Sequence, residues 1–569
     1  MANPPAPTNG GSGRRRVILF LVLLVVIASF FVGLSSLPLF DQADEARFAE
    51  AARVMTETGD YVTPTFYGRV RFAKPVLIYW LMVASYRVFG VGELGARLPS
   101  AAASAFTAMA IVWLVSRVAA GRAAWLAGIA WASFLQTAVW ARLANTDATL
   151  TLFLTASYLA LYLAFRSEAP RKRLWYLLAG AAMGLGFLTK GPIGVVLPAA
   201  SGFLYLLSVR RLRAELRQAR LWEPLVLFLL IAAPWYYLAY REHGSEFLRI
   251  FFLGENVQRF AGPAHREFGR LLYFLPFVLF MTFPFSALLP ALVKRGWARP
   301  AEPTEPGGHS LPRYLLCWFF LVVVVFTFSD VKNPQYVMSA YPALAVFAGL
   351  YFDRLLRERP PLGAYEKVAI VLVAVLGAIL TATAALLPRL LAVYAARHYA
   401  EPSEGVPLIA ACLALMAGVG TLTVAGCWAL RRRRLALGAM VATPWLLGLV
   451  AWLTLGPEVV SYRQAPLRDL CRSARRLVPE EAAIVVFGIR SSATVFYARR
   501  HVPVVPLHEP ERVAEEMAED ERIGIIAPRR EIGRLAALGP LTEWDRQGSY
   551  VLLGRDAQRR RGDRVTPQP

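Results

Sequence analysis

Apolar runs recur along the chain at 17–39, 99–116, 123–140, 148–165, 174–189, 192–208, 222–240, 271–293, 312–328, 337–352, 368–388, 406–430 and 435–456. Most approach the roughly 20 residues that an α-helix needs to cross a hydrocarbon core. The pattern therefore predicts a mainly α, polytopic membrane protein with about thirteen transmembrane helices. The fifth and sixth runs are separated only by Lys190-Gly191-Pro192, a short turn. The first run follows Arg14-Arg15-Arg16, is too long for a signal-peptide core and has no small-residue cleavage site after it, so it reads as a retained helix.

The polar residues between the runs are sorted by side. If the N-terminus is cytoplasmic, the inner connections carry 26 Lys and Arg, while the short outer turns carry one each: Arg142, Lys190 and Lys332. That asymmetry fits the positive-inside rule, and thirteen crossings put the C-terminus outside. The unusual polar stretches then share the outer side: 41–98, Asn145-Thr146-Asp147, Thr189-Lys190-Gly191, 241–270 and 330–336.

In the first outer loop, Phe48, Ala51, Ala52 and Met55 form one helical stripe, and Asp44, Arg47, Glu50 and Arg53 form a polar one. This predicts an amphipathic helix lying on the membrane. Asp41 can cap it, and Asp44 and Glu45 can complement its dipole. Lys74, before Pro75, is placed to hold a lipid phosphate or to snorkel. Asp147 can cap the helix that follows it, or act as a second carboxylate beside Asp44 in general-base work. Glu255, Asn256, Arg259 and His265 crowd the loop at 241–270, without metal-ligand spacing. Lys332 and Tyr336 lie at another outer turn, where Tyr also serves the aromatic belt.

After Leu455-Gly456-Pro457 the pattern changes. AAIVVFG, HVPVVPL and RIGIIAP read as strands, and SSATVFYARR and ERVAEEMAED as helices. A small periplasmic α/β domain is predicted over 457–557, after a membrane domain over 17–456. The leader 1–16 and the tail 558–569 read as disordered. Composition agrees with a membrane protein: 56% of residues are hydrophobic and 18% charged. The net charge of +23 would suggest nucleic acid in a soluble chain, but here it anchors loops, with membrane lipids or an anionic substrate as its second use and no nucleic-acid partner. Cys317, Cys412, Cys427 and Cys471 fit neither a metal site nor a disulfide framework.

The order of motifs resembles the aminoarabinose (4-amino-4-deoxy-L-arabinose) lipid A transferase family. These are bacterial GT-C membrane glycosyltransferases related to the protein O-mannosyltransferases. The resemblance rests on Asp44-Glu45, Arg47-Phe48-Ala49-Glu50, Gly59-Asp60-Tyr61, Phe72, Lys74-Pro75, Phe89-Gly90 and Ala96-Arg97-Leu98-Pro99-Ser100. It extends through ARLANTDATL, GFLTKGPIG, ENVQRFAGPAHR and VKNPQYVMSAYPAL.

The resemblance implies an undecaprenyl-phosphate-linked sugar donor. It implies inverting transfer to lipid A or another envelope glycan or protein, on the periplasmic face of the bacterial inner membrane. It makes Asp44, Asp147 and Glu45 the catalytic candidates. Lys74, Arg259, Tyr336 and Lys332 become donor-phosphate ligands, and Arg47, Asn256 and His265 possible substrate contacts. Relatives described with a divalent metal hold it partly through a Glu before the lysine. Ala73 stands there in this chain, and Val76 replaces a second proline. No other cofactor is implied. Two readings compete: a hexosyl- or mannosyltransferase acting on protein or another glycan, and a lipid-linked sugar transporter. A transporter is expected to show repeat symmetry and mid-span acids, and neither is evident in the sequence.

Overall fold

The structure is a computed structural model, and it describes residues 10–41, 44–119, 121–168, 170–258, 272–298, 308–329, 331–398, 400–500, 502–520 and 522–555. Most of the chain is helical. By length and apolarity, six described helices can each cross a bilayer: Glu93–Val115, Thr146–Arg166, Trp222–Glu255, Ala364–Ala385, Val406–Ala429 and Arg433–Ser461. A bent pair, Phe274–Met281 with Phe285–Trp297, makes a seventh if counted as one crossing. Five further apolar helices have 10–17 residues. The thirteen runs thus become a mixture of full-length, short and bent helices. Run 123–140 is divided at Phe134, whose backbone is extended, and run 271–293 turns by 105°.

Burial sorts the helices into centre and rim. The apolar window of Thr146–Arg166 is 83% buried and that of Ala364–Ala385 only 22%. On Val406–Ala429, Leu408, Leu415 and Leu422 recur every seventh residue and are each more than two-thirds exposed. A continuous leucine face of this kind suits hydrocarbon and not water. Rim helices approach through small residues: a Cβ on Gly377 would fall 2.1 Å from Thr421 Oγ1. This is a multi-pass membrane protein.

The segment 41–98, expected on the outer side, is a folded unit. Helix Glu45–Thr58 leads to a two-residue antiparallel ribbon, β1 (Thr65–Phe66) and β2 (Arg69–Val70). Tyr67 and Gly68 both have positive φ, as a tight right-twisting hairpin turn requires. Helices Leu77–Phe89 and Glu93–Val115 follow. The expectation that Glu45–Thr58 lies open on the membrane is corrected here. Glu50 and Arg53, on its predicted polar stripe, are buried and paired at 2.7 Å. The helix packs against helices Leu77–Phe89 and Ala493–Ala498, and Phe48, Ala52 and Met55 share one core with Leu467, Cys471 and Phe496. A charged stripe survives burial because its members neutralise one another.

Helix Arg433–Ser461 continues past Pro457, and Gln464–Leu477 follows. Beyond it lies a five-stranded sheet with β3 (Ile484–Phe487), β4 (Val504–Val505), β5 (Gly524–Pro528), β6 (Thr542–Gln547) and β7 (Tyr550–Gly554) in the order β4-β3-β5-β7-β6. β3 is parallel to β4 and β5, while β7 is antiparallel to β5 and β6. The sheet lies beside the first outer loop: Leu39 N donates to Tyr497 Oη, which in turn donates to Glu93.

Candidate functional site

Asp44 stands immediately before helix Glu45–Thr58 in a left-handed conformation, φ 58°, ψ 8°, and its side chain caps nothing. Such a backbone is uncommon outside glycine and tolerable for Asp. The carboxylate is about half exposed and pairs with Arg47 at 2.7 Å. Arg47 also donates to Ser492 Oγ at 3.1 Å, so the C-terminal region helps fix the pair. Asp41 does not cap the helix either: its Oδ1 accepts the Ala493 backbone N–H at 2.9 Å.

Glu45 has a different occupation from its neighbour. It is fully buried against Arg97 and also accepts the backbone N–H groups of Phe40 and Ala144. Arg97 in turn donates to the carbonyls of Leu34, Leu37 and Pro38. A carboxylate held by this many donors is a strut. Glu45, expected as a catalytic candidate, is thus enclosed in a buried pair with Arg97.

Lys74 lies at the start of the next segment. Its Nζ is 2.7 Å from its neighbour's carbonyl, Ala73 O, and 3.4 Å from Glu255 Oε2, and both side chains are about one-fifth exposed. Glu255 belongs to a π-helical stretch, Arg249–Gln258, a form often found at functional sites. Tyr79, on the helix that follows Lys74, accepts from Arg71 at 3.2 Å. Burial pushes the Tyr79 phenol up. Arg71 opposes that shift, and the charges of Asp44 and Glu255 add to it.

A second cluster forms around Asp147. Asn145, not Asp147, caps helix Thr146–Arg166, accepting from Asp147 N at 2.8 Å and Ala148 N at 3.1 Å. That leaves the Asp147 carboxylate for Lys190 Nζ, 2.5 Å away, with both side chains about nine-tenths buried. The same ammonium lies 4.5 Å from the centre of the Tyr336 ring, and Tyr336 Oη accepts from Asn333 at 3.2 Å. Lys332 turns elsewhere. Its Nζ contacts the carbonyls of Thr327 at 2.5 Å and Ser329 at 3.0 Å, at the negative end of helix Leu311–Thr327.

Arg259 and His265 lie outside the described residues, and of Asn256 only the backbone is described. Among the described residues no group of three His, Cys, Asp or Glu side chains is placed to hold a metal ion. Sequence reasoning gave Lys190 no role, although a lone lysine in a short outer turn already departs from the charge bias. Glu255 was one of several polar residues in a crowded loop, and Arg71 and Tyr79 carried no signal.

The family model described as dolichyl-phosphate-mannose-protein mannosyltransferase matches residues 73–238. The undecaprenyl phosphate-α-4-amino-4-deoxy-L-arabinose arabinosyl transferase of Aeromonas salmonicida is 34% identical over 333 residues, 58% of this chain and 59% of that protein. The chain thus spans less than two-thirds of that relative's length. The protein of the same description from Pectobacterium atrosepticum is 28% identical over 475 residues, 80% of this chain and 81% of that protein. In structure, ArnT from Cupriavidus metallidurans bound to undecaprenyl phosphate superposes with a TM-score of 0.75 at 23% identity, covering 94% of this chain and 97% of that one.

The fold is that of ArnT from Cupriavidus metallidurans. In sequence the chain is similar to proteins described as undecaprenyl phosphate-α-4-amino-4-deoxy-L-arabinose arabinosyl transferases.

Proposed function

We propose that this protein is an integral-membrane glycosyltransferase that moves a sugar from undecaprenyl phosphate to an envelope acceptor such as lipid A. The sugar suggested by its relatives' names is 4-amino-4-deoxy-L-arabinose. Transfer takes place with inversion on the periplasmic face of the inner membrane. The observation that carries the reading is the pairing of Lys74 with Glu255 and Lys190 with Asp147 on segments assigned to the outer side.

Lys74 binds the donor phosphate, exchanging part of its interaction with Glu255 for the phosphate oxygens, and Arg259 adds a second cation. As the acceptor oxygen forms its bond to the anomeric carbon, the bond to the phosphate oxygen breaks and undecaprenyl phosphate leaves with the electron pair. Fixed cations in a water-poor pocket stabilise that charge. Asp44, oriented by Arg47, takes the proton of a hydroxyl acceptor. With an acceptor phosphate already deprotonated, Asp44 orients the sugar. Tyr336 and Lys190 hold Asp147 in place beside the donor. No step requires a metal ion from this set, and Ala73 removes one ligand that metal-holding relatives supply.

Reconstitution of the full chain with the lipid-linked sugar and lipid A, read by mass spectrometry, tests the reading. Transfer by the wild type and its loss in Asp44→Asn with donor binding kept is the expected result. Undiminished transfer by Asp44→Asn would remove the chemistry. The protein-mannosyltransferase description of the family model and the Ala73 departure favour one second reading, a hexose transferred to protein. Glycoconjugate profiles of a deletion strain and its parent separate the two by which acceptor loses mass.

A further inference from the structure

A cleft of about 460 Å³ opens at the edge of the C-terminal sheet, away from the lysine–carboxylate pairs. Its floor is made by the residues that follow β3, β4 and β5, the three parallel strands, at their carboxyl ends. The chain leaves β3 for β4 on one side and returns for β5 on the other. In open α/β sheets, ligands bind at this kind of topological switch point.

The walls are cationic. Arg490 follows β3, His508 follows β4 and Arg530 follows β5, while Arg397 and His398 come from beyond helix Leu387–Ala396 and Arg463 from the entry to the domain. No Asp or Glu is among the residues that line the cleft. The carboxylates nearby engage single members from outside: Glu509 with His508, Glu531 with Arg530 and Asp41 with Arg463. Burial, then Arg463 and Arg397, push the His398 imidazole below its usual value. Segments far apart in sequence thus bring like charges together. That arrangement is unfavourable when empty and favourable around an anion.

We propose that this cleft binds the phosphate group of the glycolipid acceptor. It is joined to the proposed base through a short stretch of chain: Arg490 is two residues from Ser492, which accepts from Arg47, the partner of Asp44. A phosphate held by Arg490, Arg530, Arg397 and Arg463 anchors the acceptor while its reacting group reaches Asp44. The assignment rests on the proposed transfer only for the statement that this ligand is the acceptor.

The test uses the full chain in lipid nanodiscs. The probes are phosphorylated lipid A, the same lipid after phosphatase treatment, and inorganic phosphate. The wild type is expected to prefer the phosphorylated lipid by at least about tenfold, the scale of one or two charge-assisted hydrogen bonds. Arg490→Gln with Arg530→Gln, and separately Arg397→Gln, are expected to lower that preference while binding of undecaprenyl phosphate stays as in the wild type. All three arginines are exposed, and Arg397 lies on a different element from the other two, so the two variants do not share a folding risk. Equal binding of the two lipids by the wild type, or an unchanged preference in both variants, overturns the assignment. So does inorganic phosphate binding as tightly as the lipid, which would make free phosphate the ligand. Arginine-dependent binding without any sugar transfer would instead defeat the transfer reading and leave the cleft assignment standing.

Discussion

Glu45 and Arg97 form a two-pronged ion pair with no solvent exposure, Nε to Oε1 and Nη2 to Oε2 each at 2.9 Å. Because Glu45 Oε1 also accepts Ala144 N at 2.5 Å, the pair ties the segment that carries Asp44 to the segment that carries Asp147. Two carboxylates about a hundred positions apart in sequence are thereby held on one scaffold.

Removing one partner of such a pair leaves a buried charge uncompensated. Arg97→Met is expected to cost about 3–5 kcal/mol. Glu45→Gln keeps the shape and some hydrogen bonds and is expected to cost less. Thermal unfolding in detergent checks the order. If Glu45→Gln left the unfolding temperature unchanged but abolished transfer, Glu45 would belong to the chemistry after all.

Asp147 and Lys190 are each other's close partner at 2.5 Å. Asp147→Asn and Lys190→Met are each expected to lower kcat/KM by more than about tenfold, with the double variant little worse than either single one. Additive losses in a double-mutant cycle would mean that the two act separately.

The Asn145 side chain performs the capping that would otherwise engage Asp147. Asn145→Ala is expected to cost about 1 kcal/mol of stability. It is also expected to draw Asp147 back toward the helix terminus, lowering kcat beyond what the stability loss explains. Asn145→Ser, which keeps a capping oxygen, should restore most of the rate.

Glu255 Oε2 lies 3.4 Å from Lys74 Nζ, the cation proposed above to take the donor phosphate, so the two are proposed to compete for it. Glu255→Gln is expected to lower the KM for the lipid-linked sugar several-fold, and Lys74→Met to raise it. A rise in KM for both variants would make Glu255 a donor ligand and not a competitor.

Lys332 contacts helix-terminal carbonyls. Lys332→Met is expected to lower the unfolding temperature while leaving the KM for the donor close to wild type. A large rise in that KM with unchanged stability would return Lys332 to the phosphate.

The apolar runs made the membrane class legible because spanning helices must satisfy their own backbone groups and face lipid, and both demands are written in consecutive residues. The strands at Ile484–Phe487 and Gly524–Pro528 were legible as short β-rich runs. The hairpin strands Thr542–Gln547 and Tyr550–Gly554 were not, because TEWDRQ has the polarity of a surface segment and is held in place by pairing with its neighbour. The polar stripe of Glu45–Thr58 misled for a related reason: periodicity reports which residues share a face, not what covers that face.

By itself, the sequence determined the multi-pass membrane class and the identity of most polar groups between the apolar runs, since these follow from local composition and spacing. Tertiary structure alone decided which of two adjacent acids, Asp44 and Glu45, is left half exposed and which is locked to Arg97, and which lysine meets Asp147. Those choices depend on partners brought in from far along the chain, where hydrogen bonding and desolvation, not residue type, fix what a charged side chain is free to do.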